Sequence, residues 1–448
     1  MSNAFFSACA RISPSLKASG WPHLAATLAL AGLLVLLPGC AANSPAAGPP
    51  VTITSTGANA VTVWDEVATS AINMPAAVTG TPEERMPLTG TDHATVHLAI
   101  YDAVMAIAGT HRPYAITPTT PAAGASMEAA ANAAAYGVMR GLFPARANLY
   151  QTTYDTRMAG VPDGDAKTRG TAIGAEAARG MLALRANDGR HTPLAPYAHG
   201  TTAGKFRAGA AALRPYIYVK PFALTNAAQF RAGGPPALDS AAYAADFNET
   251  KSFGRATNSA RNEAQTESAR FYTDPPPLYW PRNLRQFGAA QASIADNARL
   301  MAQIWVAQTD SLIGCMDSKY QYNFWRPATA ITLADSGANP ATQPEAGWTP
   351  VVPTPPHPEY PAAHSCVTTG VSETLRHYFR TNQVAASFSS GVPNTVVHRF
   401  STTDEMSNDS GVARIYGGMH FRSSLVDGAL LGKQVANWIA EKHFGPRN

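Results

Sequence analysis

Apolar residues recur at helical spacing along most of this chain, and alternation of β-branched residues is nowhere sustained. Intervals of three and four predict a helix over residues 61–74, then a loop through Gly80 and Pro82. Residues 93–108, HATVHLAIYDAVMAIA, are strongly apolar with helical periodicity, which predicts a core helix. Further helices are predicted over 122–139, 145–159 and 165–186, the last stopped by Asn187-Asp188-Gly189. From 189 to 280 the character changes. Gly233-Gly234-Pro235-Pro236 and Asp274-Pro275-Pro276-Pro277 predict a long irregular excursion holding at least one helix, over 240–251. Loops of this length in a compact protein usually line or cover a site. Helical spacing resumes over 289–325 and ends at Arg326-Pro327, because proline disfavours helical geometry in the residue before it. A proline-rich loop, 340–358, then leads to a helix opened by Pro361 and running to Phe379, and a last helix covers 418–442.

This pattern predicts an all-α protein, the first half an antiparallel helical bundle. The expected organisation is a signal segment over 1–39, a small-residue tether over 40–59, and helical halves over 60–215 and 216–448. In the signal segment, Arg11 and Lys17 precede an apolar run over 24–37 that is short for a membrane span and ends in small residues. Leu37-Pro38-Gly39-Cys40 resembles the bacterial lipobox, whose cysteine is lipidated after cleavage; the alternative is a plain signal cut nearby. Either implies export, and the lipobox implies a lipoprotein of the cell envelope, periplasmic or outer-membrane, held at the membrane by its lipid alone.

Composition narrows the class. Charged residues are 14% of the 448, and no lysine- or arginine-rich run exists, which argues against nucleic acid as a partner. Losing residues 1–39 removes two of the 34 basic and none of the 30 acidic residues, so any positive field must be local. Of the four cysteines, Cys9 leaves with the signal and Cys40 is the lipidation candidate. Cys315 and Cys366 remain, either as one disulfide in an oxidising compartment or as two buried thiols.

Three stretches carry chemistry. Lys319 and Arg326 in KYQYNFWRP stand seven residues apart, two helical turns, which predicts cations on one face with aromatic residues between them. In PPHPEYPAAHSC, Pro361 can occupy the first helical position, leaving the N–H groups of Ala362, Ala363 and His364 directed at an oxyanion. In ARIYGGMH, Arg414 precedes His420, and Gly417-Gly418 permit close backbone approach. Two arginines, a lysine, two histidines and a helix N-terminus are what a tetrahedral or trigonal-bipyramidal oxyanion requires.

Taken in order, these motifs resemble those of the vanadium-dependent haloperoxidases, the type 2 phosphatidic acid phosphatases and the bacterial acid phosphatases. The family pattern is Lys, six residues, Arg-Pro; then Pro-Ser-Gly-His; then Ser-Arg, five residues, His. The chain matches the first fully, the second at Pro361 and His364, and the third at Arg414 and His420; Ala362-Ala363 and Ala413 stand where the family has Ser-Gly and Ser. The phrases NFWRPATAI and PPHPEYPAAHS look like the haloperoxidase-like branch. The resemblance implies helical bundles of the haloperoxidase and acid-phosphatase type. It implies vanadate held through its metal by His420 and neutralised by Lys319, Arg326 and Arg414, with the N–H of Ala363 still able to contribute. His364 would be the acid/base and Lys319 would polarise peroxide during halide oxidation. In the alternative, phosphate replaces vanadate and His420 forms a phosphohistidine on a phosphoester. A third reading keeps the oxyanion pocket without turnover.

Other residues have plainer explanations. His93 and His97 share a helical face but lack a third zinc ligand, so core packing is expected. His357, His377, His398 and His443 have no motif support, with His357 the best placed to line the mouth. Asp102 and Asp317 are candidates to orient a histidine or pair with a cation.

Overall fold

Side-chain caps decide where several helices begin. Asn59 accepts from the N–H groups of Val61 and Thr62 and, with Thr62, forms a reciprocal box that opens α1 (Ala60–Ile72). The short α2 (Pro82–Arg85) leads to α3 (Thr89–Ala108), which starts one turn earlier than the apolar pattern predicts. Ser126 caps α4 (Met127–Leu142); a 3₁₀ turn, Pro144–Leu149, precedes α5 (Gln151–Ala159), and α6 (Asp165–Arg185) follows. The irregular excursion holds α7 (Ala241–Phe253) as expected, and two short helices the pattern missed, α8 (Glu263–Phe271) and α9 (Pro276–Leu284). Next come α10 (Ile294–Tyr322), α11 (Pro327–Leu333), α12 (Ala363–Phe379), α13 (Thr403–Tyr416) and α14 (Arg422–Lys442).

This computed structural model describes residues 48–74, 81–207, 211–333 and 339–447. The expected signal segment, Cys40 and Gly80 lie outside them. Among the described residues no helix is long and apolar enough to cross a membrane. Small strands depart from the expectation of helices alone. β1 (Val51–Thr52) pairs in parallel with β2 (Val384–Phe388), which pairs antiparallel with β3 (His398–Phe400). β1 lies within the stretch read as tether, anchored by Val51 opposite Val384. Strands of two, five and three residues are too short to show alternation in sequence.

The helices pack in two groups that meet. α4 lies on α6 and α3; α12 lies on α14 and α13; α10 runs against both α3 and α12. One apolar core joins them, from Trp64, Tyr101 and Trp305 to Cys366, Leu375 and Val435. Contact between α12 and α14 is close enough to require glycine. A Cβ on Gly432 would stand 2.2 Å from the Cys366 carbonyl oxygen and 2.7 Å from the Gly370 nitrogen. α12 thereby has its depth fixed from both sides, and its N-terminus carries His364.

Candidate active site

Lys319 sits in the last turn of α10, which closes at Asn323 with φ 52°, a left-handed conformation that asparagine tolerates. Arg326 therefore falls beyond the helix, and the two cations do not share a helical face as their spacing predicts. They converge on the segment 357–359 instead. Lys319 Nζ donates to the carbonyls of Pro358 (2.9 Å) and Glu359 (2.8 Å), and Arg326 Nε to that of His357 (2.8 Å). Backbone carbonyls, rather than the intervening aromatic rings, hold both cations. Arg326 also reaches the third motif, its Nη1 donating to the Met419 carbonyl and standing 3.0 Å from His420 Nε2.

His420 leaves the end of α13 through Gly417 and Gly418. Gly418 has φ 73°, and a Cβ there would meet the Gly254 carbonyl oxygen at 2.7 Å. On the other side of the imidazole, Glu359 Oε1 lies 2.9 Å from Nδ1 and also accepts from the Phe421 N–H at 2.9 Å. Its Oε2 accepts from Ser424 Oγ at 2.6 Å. α14 has no side-chain cap of its own, so Glu359 supplies its N-terminal anion while aligning the histidine.

α12 begins at Ala363 with Ala362 as its cap residue, two positions later than a helix opened by Pro361 predicts. The Ala362 N–H is not free: it donates to the Ser424 carbonyl at 2.9 Å. The first-turn N–H groups of Ala363, His364 and Ser365 have no acceptor within the helix, as in any first turn. Ala362 is fully buried in a small apolar cluster with Ile415 and Leu425.

Ala363, His364, Arg414, His420 and His357 line one cavity of about 480 Å³. Lys319 and Arg326 are not among the residues that line it; they lie buried beside it, Arg326 against His420 and Lys319 on the Pro358 and Glu359 carbonyls, close enough to bias both His364 and His420 electrostatically. Arg414 Nη1 donates to the Tyr272 carbonyl (3.1 Å) and Nη2 contacts Met419 Sδ, while its buried Nε has no hydrogen-bond partner. The Tyr272 ring stands edge-on to His364, centroids 6.1 Å apart. Further out, the wall is prolines together with Leu88, Leu312 and Trp280.

Burial makes this an uncomfortable concentration of positive charge. It pushes Lys319 down to about 8, Arg326 down to about 10 and Arg414 down to about 9, with the neighbouring Arg326 charge adding to the shifts of Lys319 and Arg414. Burial and then the cations hold His364, His420 and His357 well below the usual histidine value, so all three are neutral at pH 7. Burial raises Glu359 to about 7 against the opposing pull of Ser424 and Lys319. A bound oxyanion would relieve the strain on all three cations.

Sequence reasoning passed over Glu359 and Tyr272. Glu359 stood inside the quoted proline-rich phrase, a lone carboxylate whose role appears only once residues 420–424 fold beside it. The residues set aside fill structural roles. His93 stacks on Trp305 at 4.2 Å, and His97 Nε2 meets Asp65 at 3.0 Å. Asp317 pairs with Arg231 at 2.6 Å, and Asp102 accepts from the N–H groups of Tyr114, Ala115 and Ile116. His377 meets Asn437, and His443 faces the Ala223 carbonyl. Cys315 and Cys366 are free, buried thiols, so of the two expected states the structure shows the unpaired one and not the disulfide.

Residues 299–446 match the family model of the VCPO second helical-bundle domain. The fold is similar to that of a structure described as the first bacterial vanadium-dependent iodoperoxidase, with TM-score 0.67, 21% identity, and 87% of this chain and 96% of that one covered. It is also similar to a bacterial vanadium-dependent chloroperoxidase in its holo form, with TM-score 0.64, 16% identity, and 86% and 97% covered. The apo form of such a chloroperoxidase gives 0.62 and 16%, with 84% and 96% covered. No curated protein matches the chain significantly.

Proposed function

From the match of residues 299–446 to the VCPO second helical-bundle domain and the fold shared with bacterial vanadium-dependent haloperoxidases, we propose that this chain belongs to the superfamily of vanadium haloperoxidases and phosphatidic acid phosphatase-like proteins and is an exported vanadate-dependent haloperoxidase. The observation that carries the reading is the convergence of His364, Arg414 and His420 on one cavity, with Arg326 against His420 and Lys319 on the Glu359 carbonyl buried beside it. The donor set fits vanadate: an imidazole nitrogen, three buried cations, first-turn N–H groups and the partnerless Nε of Arg414. His420 Nε2 would hold the metal, and Lys319, Arg326, Arg414 and the Ala363 N–H would hold the oxygens. When bound, vanadate supplies a Lewis-acidic centre on which hydrogen peroxide is activated to oxidise halide.

The chain's own residues prepare that chemistry. Glu359, accepting from Nδ1–H, fixes the His420 tautomer with its lone pair on Nε2. His364, neutral and on the cavity wall, can take a proton from an incoming peroxide and return it to a leaving oxygen. Lys319, a charge taken out of water, neutralises developing negative charge more strongly than an exposed lysine would. The apolar outer wall limits water at the reacting atoms.

The pairing of Glu359 with His420 also supports a second reading, phosphoester hydrolysis, since a carboxylate-backed imidazole is an activated nucleophile. A pocket that binds without turnover is the third. One preparation separates them: bromide and iodide oxidation with added vanadate and peroxide, aryl-phosphate hydrolysis without vanadate, and binding of both anions. The proposal expects halide oxidation that needs vanadate and falls to background in His420→Ala. Phosphatase activity alone, binding alone, or an undiminished variant would refute it.

A further inference from the structure

Arg414 is a buried arginine without a carboxylate partner. Among the described residues the only oxygen its guanidinium bonds is the Tyr272 carbonyl, 3.1 Å from Nη1, while Nη2 rests on Met419 Sδ. A charge left so free can serve an anion, but where it stands depends on where Tyr272 stands. Tyr272 is the residue that ends α8, and its N–H reaches the Ser268 carbonyl only at 3.4 Å, so the helix holds it loosely. Its side chain holds it better: the buried phenol donates to Asp409 Oδ2 at 2.7 Å. Asp409 and Arg414 both belong to α13, five residues and therefore about 7.5 Å apart along its axis. Tyr272 is thus tied to α13 twice, by its hydroxyl at Asp409 and by its carbonyl at Arg414. The ring between the two ties is the one that stands edge-on to His364.

Asp409 is itself fixed. His398 Nδ1 lies 2.6 Å from the same Oδ2, and its Nε2 lies 2.9 Å from Glu267 Oε2 on α8. Carboxylates accept, so both ring nitrogens donate, which only the protonated imidazole can do. Phe271 stacks on that ring at 3.8 Å, one residue before Tyr272. The last turn of α8 therefore grips β3 and α13 together. Tyr272, Arg414 and His364 line the cavity, whereas Asp409 and His398 are not among its lining residues. Whatever these two do to a bound anion must pass through Tyr272. We propose that Asp409, fixed by His398, is a positioning residue for the oxyanion pocket: through the Tyr272 hydroxyl it sets the Tyr272 carbonyl, and with it the guanidinium of Arg414.

This role rests on the oxyanion-pocket reading and on no particular turnover, because binding alone reports it. Vanadate affinity of the full chain is measured by calorimetry at neutral pH, where Lys319, at about 8, is mostly charged. Tyr272→Phe keeps the ring and the carbonyl and removes only the hydroxyl. It should bind about tenfold more weakly than wild type, the low end for a partner standing behind the ligating groups. Asp409→Ala should lose as much, and the double variant no more than either alone, since both break one chain of contacts. Two unconnected structural lesions would instead multiply, to about a hundredfold. That product, or variants that bind as wild type does, overturns the proposal. Arg414→Lys keeps the charge without the forked donor, so adding Tyr272→Phe to it should cost nothing further. A second tenfold loss there would show the hydroxyl acting by another route and would equally overturn the role. Where Asp409→Ala does not fold, Tyr272→Phe alone and with Arg414→Lys decides. A wild type that binds no vanadate overturns the pocket itself, and this role with it.

Discussion

Glu359 touches the imidazole of His420, the N–H of Phe421 just before α14 and the hydroxyl of Ser424, while its own carbonyl receives Lys319. Replacing the carboxylate by an amide, Glu359→Gln, keeps the volume but removes the charge behind the ring. Vanadate affinity should fall by roughly 10- to 100-fold, the usual loss when a ligand's supporting partner is changed. Calorimetric titration checks this; unchanged affinity would leave Glu359 as a helix cap only. His398 offers a second test at this scale. Its Nδ1 lies 2.6 Å from Asp409, its Nε2 2.9 Å from Glu267, and Phe271 stacks on it at 3.8 Å. Burial opposes its charge, but the two carboxylates outweigh burial and the folded value is raised. A raised histidine contributes stability that is full below about pH 6.5 and is lost as pH rises through the folded value. His398→Gln should therefore destabilise by about 2 kcal/mol in mild acid, and much less in mild alkali. Denaturant unfolding at both pH values decides, and a pH-independent difference would contradict the account.

Among the elements, α12 is held by contact rather than by propensity. Gly432→Ala would drive a methyl group into the Cys366 carbonyl and the Gly370 nitrogen, both backbone atoms that cannot turn aside. The variant should lose about 3 kcal/mol or more, at the upper end for overpacking, visible as a lower melting temperature. The long helices were legible because their apolar residues repeat over several turns, as in α3, α6 and α10. α8, α9 and α13 were not, although Asn262 with Gln265 and Thr402 with Glu405 form capping boxes that a reading of caps alone would catch. α9 begins at Pro276, and its prolines read as loop although proline suits a first turn. The site motifs were legible as ordered spacings. What spacing could not give was the role of Glu359, or the way Asn323 ends α10 and sends Arg326 beyond the helix.

For the molecule as a whole, charge is nearly balanced while the pocket is not: 34 basic and 30 acidic residues leave little long-range field, and the attraction for an anion is local. Lys319, brought to about 8 by burial, sheds its proton within a range the folded chain can be studied in. Affinity for sulfate, whose charge is constant there, should fall about tenfold per pH unit above about pH 8, as the protonated lysine does. Titration of sulfate at several pH values checks this, and a flat profile would show that Lys319 is not among the anion's partners.

The outer wall of the cavity includes Pro87, Pro276, Pro277, Pro353, Pro355 and Pro356. Each ring locks its own φ, so the rim has already surrendered the backbone freedom that most loops give up when a guest arrives. Filling such a rim costs little ordering entropy, and a greasy organic guest would be drawn in chiefly by release of water from its surface. Its calorimetric signature would be a negative heat-capacity change with scarcely any displacement of the chain.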